Sequence, residues 1–278
     1  MSEYGLHIWY AGRNPEVDIV FVHGLRGNRE KTWRKNGVVW PKQLLSQDIQ
    51  NSRIMTFGHD ARIVHSDPDE VTQGSLDTEA AMLCSQLQAR RFERHEENRP
   101  IIFVAHSLGG LICAQAIVHG ELSKPGDCVM NISDRVKGIV FLGTPFGGSA
   151  LAGRGELARR VVSVVKKTDK TTMRVLSAGS ADRQALHDLF PRVVQKRMQT
   201  PRGLELAFFC ETIPTRGSLV VESDSASIYG LGRPVEIQAD HAGMCKFDSR
   251  DDVGYQLVRQ KILHMIDHAR RPAETHRR

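Results

Sequence analysis

The sequence has few cysteines, and they do not fall into pairs. Cys84, Cys113, Cys128, Cys210 and Cys245 are odd in number, and none belongs to a C-x-x-C couplet. That excludes a disulfide scaffold and the usual zinc-ligand spacings. It fits small apolar side chains in a reducing compartment. Long apolar runs are missing too: no stretch of about 18 such residues could cross a bilayer. The opening segment Met1–Gly5 has neither the basic region nor the apolar core of a secretory signal. No internal repeat or low-complexity tract breaks the chain. The expectation is a soluble, intracellular, cytoplasmic protein, with peripheral membrane contact left open.

What is present suits a globular enzyme. At 278 residues, 40% hydrophobic and 25% charged, the chain can bury a sizeable core without staples. A net charge of +6 and a pI near 9.2 favour anionic partners without naming one. No nucleic-acid motif accompanies the charge.

Short apolar runs alternate with helical stretches, the pattern of a mostly parallel sheet with helices on both faces. Strands are predicted at Val17–Val22, Ser52–Phe57, Ile101–Ala105, Val136–Leu142 and Leu204–Phe209. A weaker one covers Val235–Ala239, and Leu6–Trp9 adds an edge. Helices are predicted from Pro41 through Ile49, over Ser75–Arg94, Gly109–His119 and Asp251–Ala269. Residues 149–202 show no clear strand. They carry twelve lysines and arginines against four acids, a balance of +8. They read as a basic helical insertion. The tail from Arg270 to Arg278 reads as frayed.

The run Ile101-Ile102-Phe103-Val104-Ala105-His106-Ser107-Leu108-Gly109-Gly110 carries the most chemical information. A strand enters a sharp turn with Ser107 at its apex, and a helix leaves it. Small residues flank the serine because the turn brings the backbone close to its neighbours. Ala105 stands where the G-x-S-x-G pattern has its first glycine. The turn projects the Ser107 hydroxyl into a cleft and aims the Leu108 N–H at a developing oxyanion. A second donor belongs to the loop after an earlier strand. In His23-Gly24-Leu25 that donor is the Leu25 N–H, with His23 bracing the loop.

A serine hydroxyl needs a general base. His241, in Ala239-Asp240-His241-Ala242-Gly243 after the last strand, holds the expected place. His264 and His268, at i and i+4, read as a solvated helix face rather than a metal site. His106 must point away from the chemistry and reads as structural, and His59 reads as a buried or rim residue. The acid that orients the base belongs after the fifth core strand. Glu211 stands at that strand's end, and Glu222 and Asp224 are its rivals.

Taken in order, H-G-L-R-G-N with Thr32-Trp33, A-H-S-L-G-G-L, G-T-P-F-G-G-S (143–149), E-T-I-P-T (211–215), V-V-E-S-D-S-A and A-D-H-A-G-M-C-K-F (239–247) form one set. Over roughly residues 15–265 it resembles the serine-active-site-containing lipases and esterases. Among these it is similar to the fungal SesB-type domain found on NOD-like receptors. The resemblance implies a single α/β-hydrolase domain over 1–270, with 149–202 as cap or lid and 271–278 as a flexible tail. It implies ester hydrolysis through Ser107, His241 and Glu211, with no metal or organic cofactor. In other lipases the acid precedes the V-V pair, where this chain has Ser218, so Asp224 and Glu222 stay open. Phe146 stands where relatives often carry His. The expected substrate is a lipid or other small acyl ester. The insertion is either a solvated cap or a lid meeting anionic lipid headgroups. Two alternatives share the fold: a binding or signalling module with weak catalysis, and a thioesterase or amidase. Oligomeric state is not legible.

Overall fold

The structure is a computed structural model that describes residues 4–24, 27–59, 73–146, 180–200 and 203–270. In chain order the strands are β1 (Gly5–Ala11), β2 (Val17–Val22), β3 (Arg34–Lys35), β4 (Val38–Val39), β5 (Ser52–Gly58), β6 (Ile101–His106), β7 (Val136–Leu142), β8 (Glu205–Glu211) and β9 (Val235–Ile237). β3 and β4 make a small antiparallel pair. The other seven form one sheet in the order β1-β5-β2-β6-β7-β8-β9. β1 runs antiparallel to β5, and every other neighbour in that sheet is parallel.

Both faces of the sheet are covered, which is why its central strands read as near-continuous apolar runs. Alternate residues feed two cores. Val20, Val22, Phe103 and Phe141 pack against α2 (Gln73–Phe92), α3 (Leu108–Leu122), α4 (Cys128–Arg135) and α5 (Ser180–Met198). Ile19, Phe21, Val104 and Val140 face Trp33, Trp40 and α6 (Val253–Arg270). The single turn α1 (Ser46–Asp48) completes the described α-helices.

Several boundaries differ from the sequence expectation, each for a local reason. The helix from Pro41 is a wide turn, Pro41–Leu45, running into α1, and it stops at Asp48 because Ile49 turns out of helical geometry. β8 continues to Glu211, so the candidate acid belongs to the strand rather than to the loop after it. β9 ends at Ile237, where the Ala239 N–H turns back onto the Ile237 carbonyl. α6 starts at Val253, because Asp252 caps it by accepting the Gly254 N–H at 2.8 Å. α4 has no counterpart in the pattern reading. It opens on Asp127, whose carboxylate accepts the Val129 N–H.

Of the basic insertion, 180–200 is described, and α5 occupies most of it. Arg197 is turned inward, donating to the Val136 carbonyl at 2.8 Å. Lys196 pairs with Glu121. At least these two cations therefore tie α5 to the domain. The rest of the insertion and the tail 271–278 lie outside the described residues. No described helix is long and apolar enough to cross a membrane.

Candidate active site

The carboxyl ends of the parallel strands bring the sequence candidates together, the end of an open α/β sheet where ligands bind. β6 delivers Ser107, β7 delivers Gly143, β8 ends on Glu211, and His241 follows β9. β2 leads into His23 and Gly24.

Ser107 lies between β6 and α3 with φ 52° and ψ −126°. A non-glycine residue there is strained by on the order of 1–3 kcal/mol, and only a well-packed surround holds it. That surround is tight. The Ser107 N–H donates to the Leu142 carbonyl at 2.9 Å. A Cβ on Gly24 would fall 2.7 Å from the Ser107 Cβ. A Cβ on Gly109 would fall 2.5 Å from the Val22 and His23 carbonyl oxygens. The small residues around the serine are thus demanded by contacts to β2 and its loop. Leu108 opens α3, so its N–H belongs to a first turn whose amides lack intrahelical acceptors. Leu25, the other oxyanion candidate, lies outside the described residues.

His241 and Glu211 form a buried pair, 5% and 1% exposed. The imidazole Nδ1 stands 3.3 Å from Glu211 Oε2. Since the carboxylate accepts, Nδ1 carries the proton. Glu211 Oε1 accepts the backbone N–H groups of Val220 (2.9 Å) and Val221 (2.8 Å). Burial pushes the Glu211 carboxyl up, but the His241 bond and charge and the Val221 amide outweigh it. Its pKa ends below the ordinary value. His241 Nε2 is buried and takes no hydrogen bond among the described residues. A buried polar atom without a partner is rare, and here it is the atom a general base would use.

The rival acids stand elsewhere. Glu222 and Asp224 are exposed, in the turn where the Glu222 carbonyl accepts the Ser225 and Ala226 N–H groups. The V-V pair, Val220 and Val221 in the loop between β8 and β9, supplies amides to Glu211 rather than following an acid of its own. Ser218 exchanges backbone hydrogen bonds with Thr215. The other histidines sort by contact. His59 Nε2–H donates to the His23 carbonyl at 2.7 Å, and the two rings stack 4.2 Å apart. Burial lowers the His23 pKa, against a hydrogen bond to the Gly24 carbonyl. His264 and His268 both approach Glu205 on α6's solvated side. Phe146 packs in an aromatic group with Phe141, Phe190 and Phe208. Among the described residues, no cluster of three or more His, Cys, Asp or Glu is placed to hold a metal ion.

Two contributors escaped the sequence reading. Gly143, at φ +59°, leaves room for the His241 ring: a Cβ there would fall 2.9 Å from His241 Cε1. Its place at the head of G-T-P-F-G-G-S was the available signal. The amides of Val220 and Val221 have no side-chain signature at all. Asp240 shapes the base loop by accepting the Gly243 N–H at 2.7 Å.

Comparison with known proteins agrees with this geometry at the level of fold and family. Protein SERAC1 of Danio rerio is 27% identical over 285 residues, covering 93% of this chain and 41% of its own length. The Bos taurus protein of that name is 28% identical over 287 residues, with 93% and 40% covered. The chain thus spans about two fifths of these relatives. Among solved structures, MenH from S. aureus superposes with a TM-score of 0.50 at 13% identity, covering 96% of this chain and 99% of that one. At that identity the likeness speaks to fold alone, and the fold is that of an α/β-hydrolase. The family described as "Putative serine esterase (DUF676)" matches residues 15–200, and the chain belongs to it.

Proposed function

We propose that the protein hydrolyses carboxylic esters, of lipids or other acyl compounds, through an acyl-enzyme on Ser107. The buried Glu211–His241 pair, whose Nε2 takes no hydrogen bond among the described residues, at the same end of the sheet as the strained Ser107 turn, is the observation that carries this reading. The Ser107 Oγ attacks the acyl carbon while His241 Nε2 takes its proton. The Leu25 and Leu108 N–H groups hold the tetrahedral oxyanion. Collapse breaks the C–O bond to the alcohol, which leaves with the proton from His241. Water, deprotonated by the same nitrogen, then attacks the acyl-enzyme and frees the acid and Ser107. Glu211 keeps the proton on Nδ1 and stabilises the imidazolium. The residues ask for no metal or cofactor in these steps.

The test is covalent labelling with a fluorophosphonate. One label per chain, lost in Ser107→Ala, supports the assignment; an intact fold that takes no label sinks it. Turnover of esters graded in chain length, with and without anionic vesicles, then addresses substrate. A rate raised by the vesicles favours the basic insertion as a lid meeting headgroups, and a flat response favours a solvated cap.

A further inference from the structure

We propose that His106 is a positioning residue: its Nε2–H holds the His241 carbonyl and locks the base loop against the end of β6. This rests on the hydrolase reading above and adds a component to it.

The geometry is direct. His106 Nε2 stands 2.9 Å from the backbone oxygen of His241. A carbonyl only accepts, so Nε2 carries the proton. The rings of His106 and His241 lie 5.0 Å apart at 42°. The ring of His106 also faces the oxyanion-side loop, since a Cβ on Gly24 would fall 3.4 Å from its Nδ1. The residue next to the nucleophile therefore spans from the H-G loop to the base loop. The bond crosses 135 positions of sequence. β9 ends four residues before His241, and the neighbouring backbone ties of the loop lie to either side of it, from the Ile213 N–H to the Ala239 carbonyl at 3.1 Å and from the Trp40 indole N–H to the Cys245 carbonyl at 2.9 Å.

Charge sets a second condition. During turnover His241 becomes a cation. A protonated His106 would place another cation ring to ring with it, so the clamp works only if His106 stays neutral. The titratable groups facing it are His241 and Lys246 of the base loop and His23 after β2. Desolvation comes first, then the charges of His241, Lys246 and His23, and together they push the His106 imidazole down to about 3. The bond to the His241 carbonyl opposes this shift without reversing it. The neutral form that donates from Nε2 is thereby the form present at working pH.

Phenylalanine removes the donor and keeps the ring, whereas glutamine places an amide N–H near the Nε2 position and cannot take up a proton. Displacing a catalytic group by about 1 Å costs on the order of 10²-fold in rate. His106→Phe is expected to lower kcat and the fluorophosphonate labelling rate by about that factor, with KM near the wild-type value. His106→Gln is expected to recover most of the loss. ¹⁵N-histidine spectra of the wild-type protein should show one His106 tautomer, protonated at Nε2, without titration between pH 5 and 8. A folded His106→Phe protein with wild-type kcat overturns the proposal. So does a Gln variant no better than Phe, or a His106 ring that gains a proton in that range. If His106→Phe does not fold, the spectra and the Gln variant decide alone. Wild-type protein that takes no label brings down the hydrolase reading and the clamp with it. Normal labelling with an unmoved His106→Phe rate removes only the clamp.

Discussion

At the amino ends of β2 and β5, the Asp18 carboxylate accepts four N–H groups. Arg53 donates twice, at 2.9 and 2.7 Å, Arg91 once at 2.5 Å and Arg99 once at 3.1 Å. Glu96 adds a second carboxylate, bound to Arg53 and Arg99. Asp18 and Arg91 are fully buried, and Arg53 nearly so. At the carboxyl ends, Glu211 and His241 are buried as well, but His241 Nε2 takes no hydrogen bond among the described residues. The two ends enclose similar chemistry with opposite outcomes. A carboxylate has about four acceptor sites, and Asp18 has all of them filled, so it has nothing left to offer a substrate. The Glu211–His241 pair is filled on one side and open on the other. Burial of polar groups therefore does not mark a site, and one unused atom is not enough either, since Arg91 Nε at the amino end also takes no hydrogen bond among the described residues. His241 Nε2 differs in being a free acceptor on a ring whose other nitrogen is held by a carboxylate.

Substitutions at the two ends should separate rate from stability. The largest effect is expected from Ser107→Ala, with kcat falling by roughly 10⁶-fold while the midpoint of urea unfolding changes little. Ser107→Gly should be equally inactive yet more stable than the alanine variant by about 1 kcal/mol, because glycine accepts positive φ. Equal midpoints for the two would remove the strain assigned to this turn. Glu211→Gln is expected to cost about 10⁴-fold in kcat, as for other bases deprived of their orienting carboxylate. Glu222→Gln and Asp224→Asn, on exposed positions, should stay near wild type. Retained turnover in Glu211→Gln would move the acid elsewhere. Asp18→Asn should do the reverse of all these. Removing the anion leaves Arg91 without a carboxylate and Arg53 and Arg99 with Glu96 alone, and about 3–5 kcal/mol of stability should be lost. The molecules still folded should take label at the wild-type rate. A slowed rate per folded molecule would show that the two ends are coupled.

The parts of this design that could be read in advance are those encoded by contiguous residues. Val17–Val22 and Val136–Leu142 are legible as strands because a strand covered on both faces needs an unbroken apolar run. Ser107 is legible because its turn demands a strand before it, a helix after it and small residues on either side. The acid is not legible in the same way. What distinguishes Glu211 from Glu222 and Asp224 is the pair of Val220 and Val221 amides folded back on it, a property of the loop path. α4 escaped because eight residues are too few for a clear helical period. The partner of His106 could not be inferred from sequence, since it is a main-chain oxygen.

The smallest effect sharpens the comparison through pH. His23 and His106 both lie at the carboxyl ends, and burial lowers both imidazoles. The unfolded chain takes up protons near pH 6.5, whereas the folded His106 waits until about 3. Between those values the unfolded state binds more protons, so stability falls as pH falls, by up to about 1.4 kcal/mol per pH unit for each proton fully refused. Carboxylates act in a lower window. Glu211 and Glu96, from opposite ends of the sheet, are both held below the ordinary carboxylate value of 4.5. Their contribution is complete above that value and is lost as pH drops through their folded values. The stretch from pH 6.5 to 4.5 therefore isolates the carboxyl end. Urea unfolding at pH 7, 6 and 5 should show a declining midpoint for the wild-type protein and a shallower decline for His106→Gln, which has no proton to refuse. Identical slopes would mean that the His106 ring is as free to charge in the folded protein as in the unfolded chain.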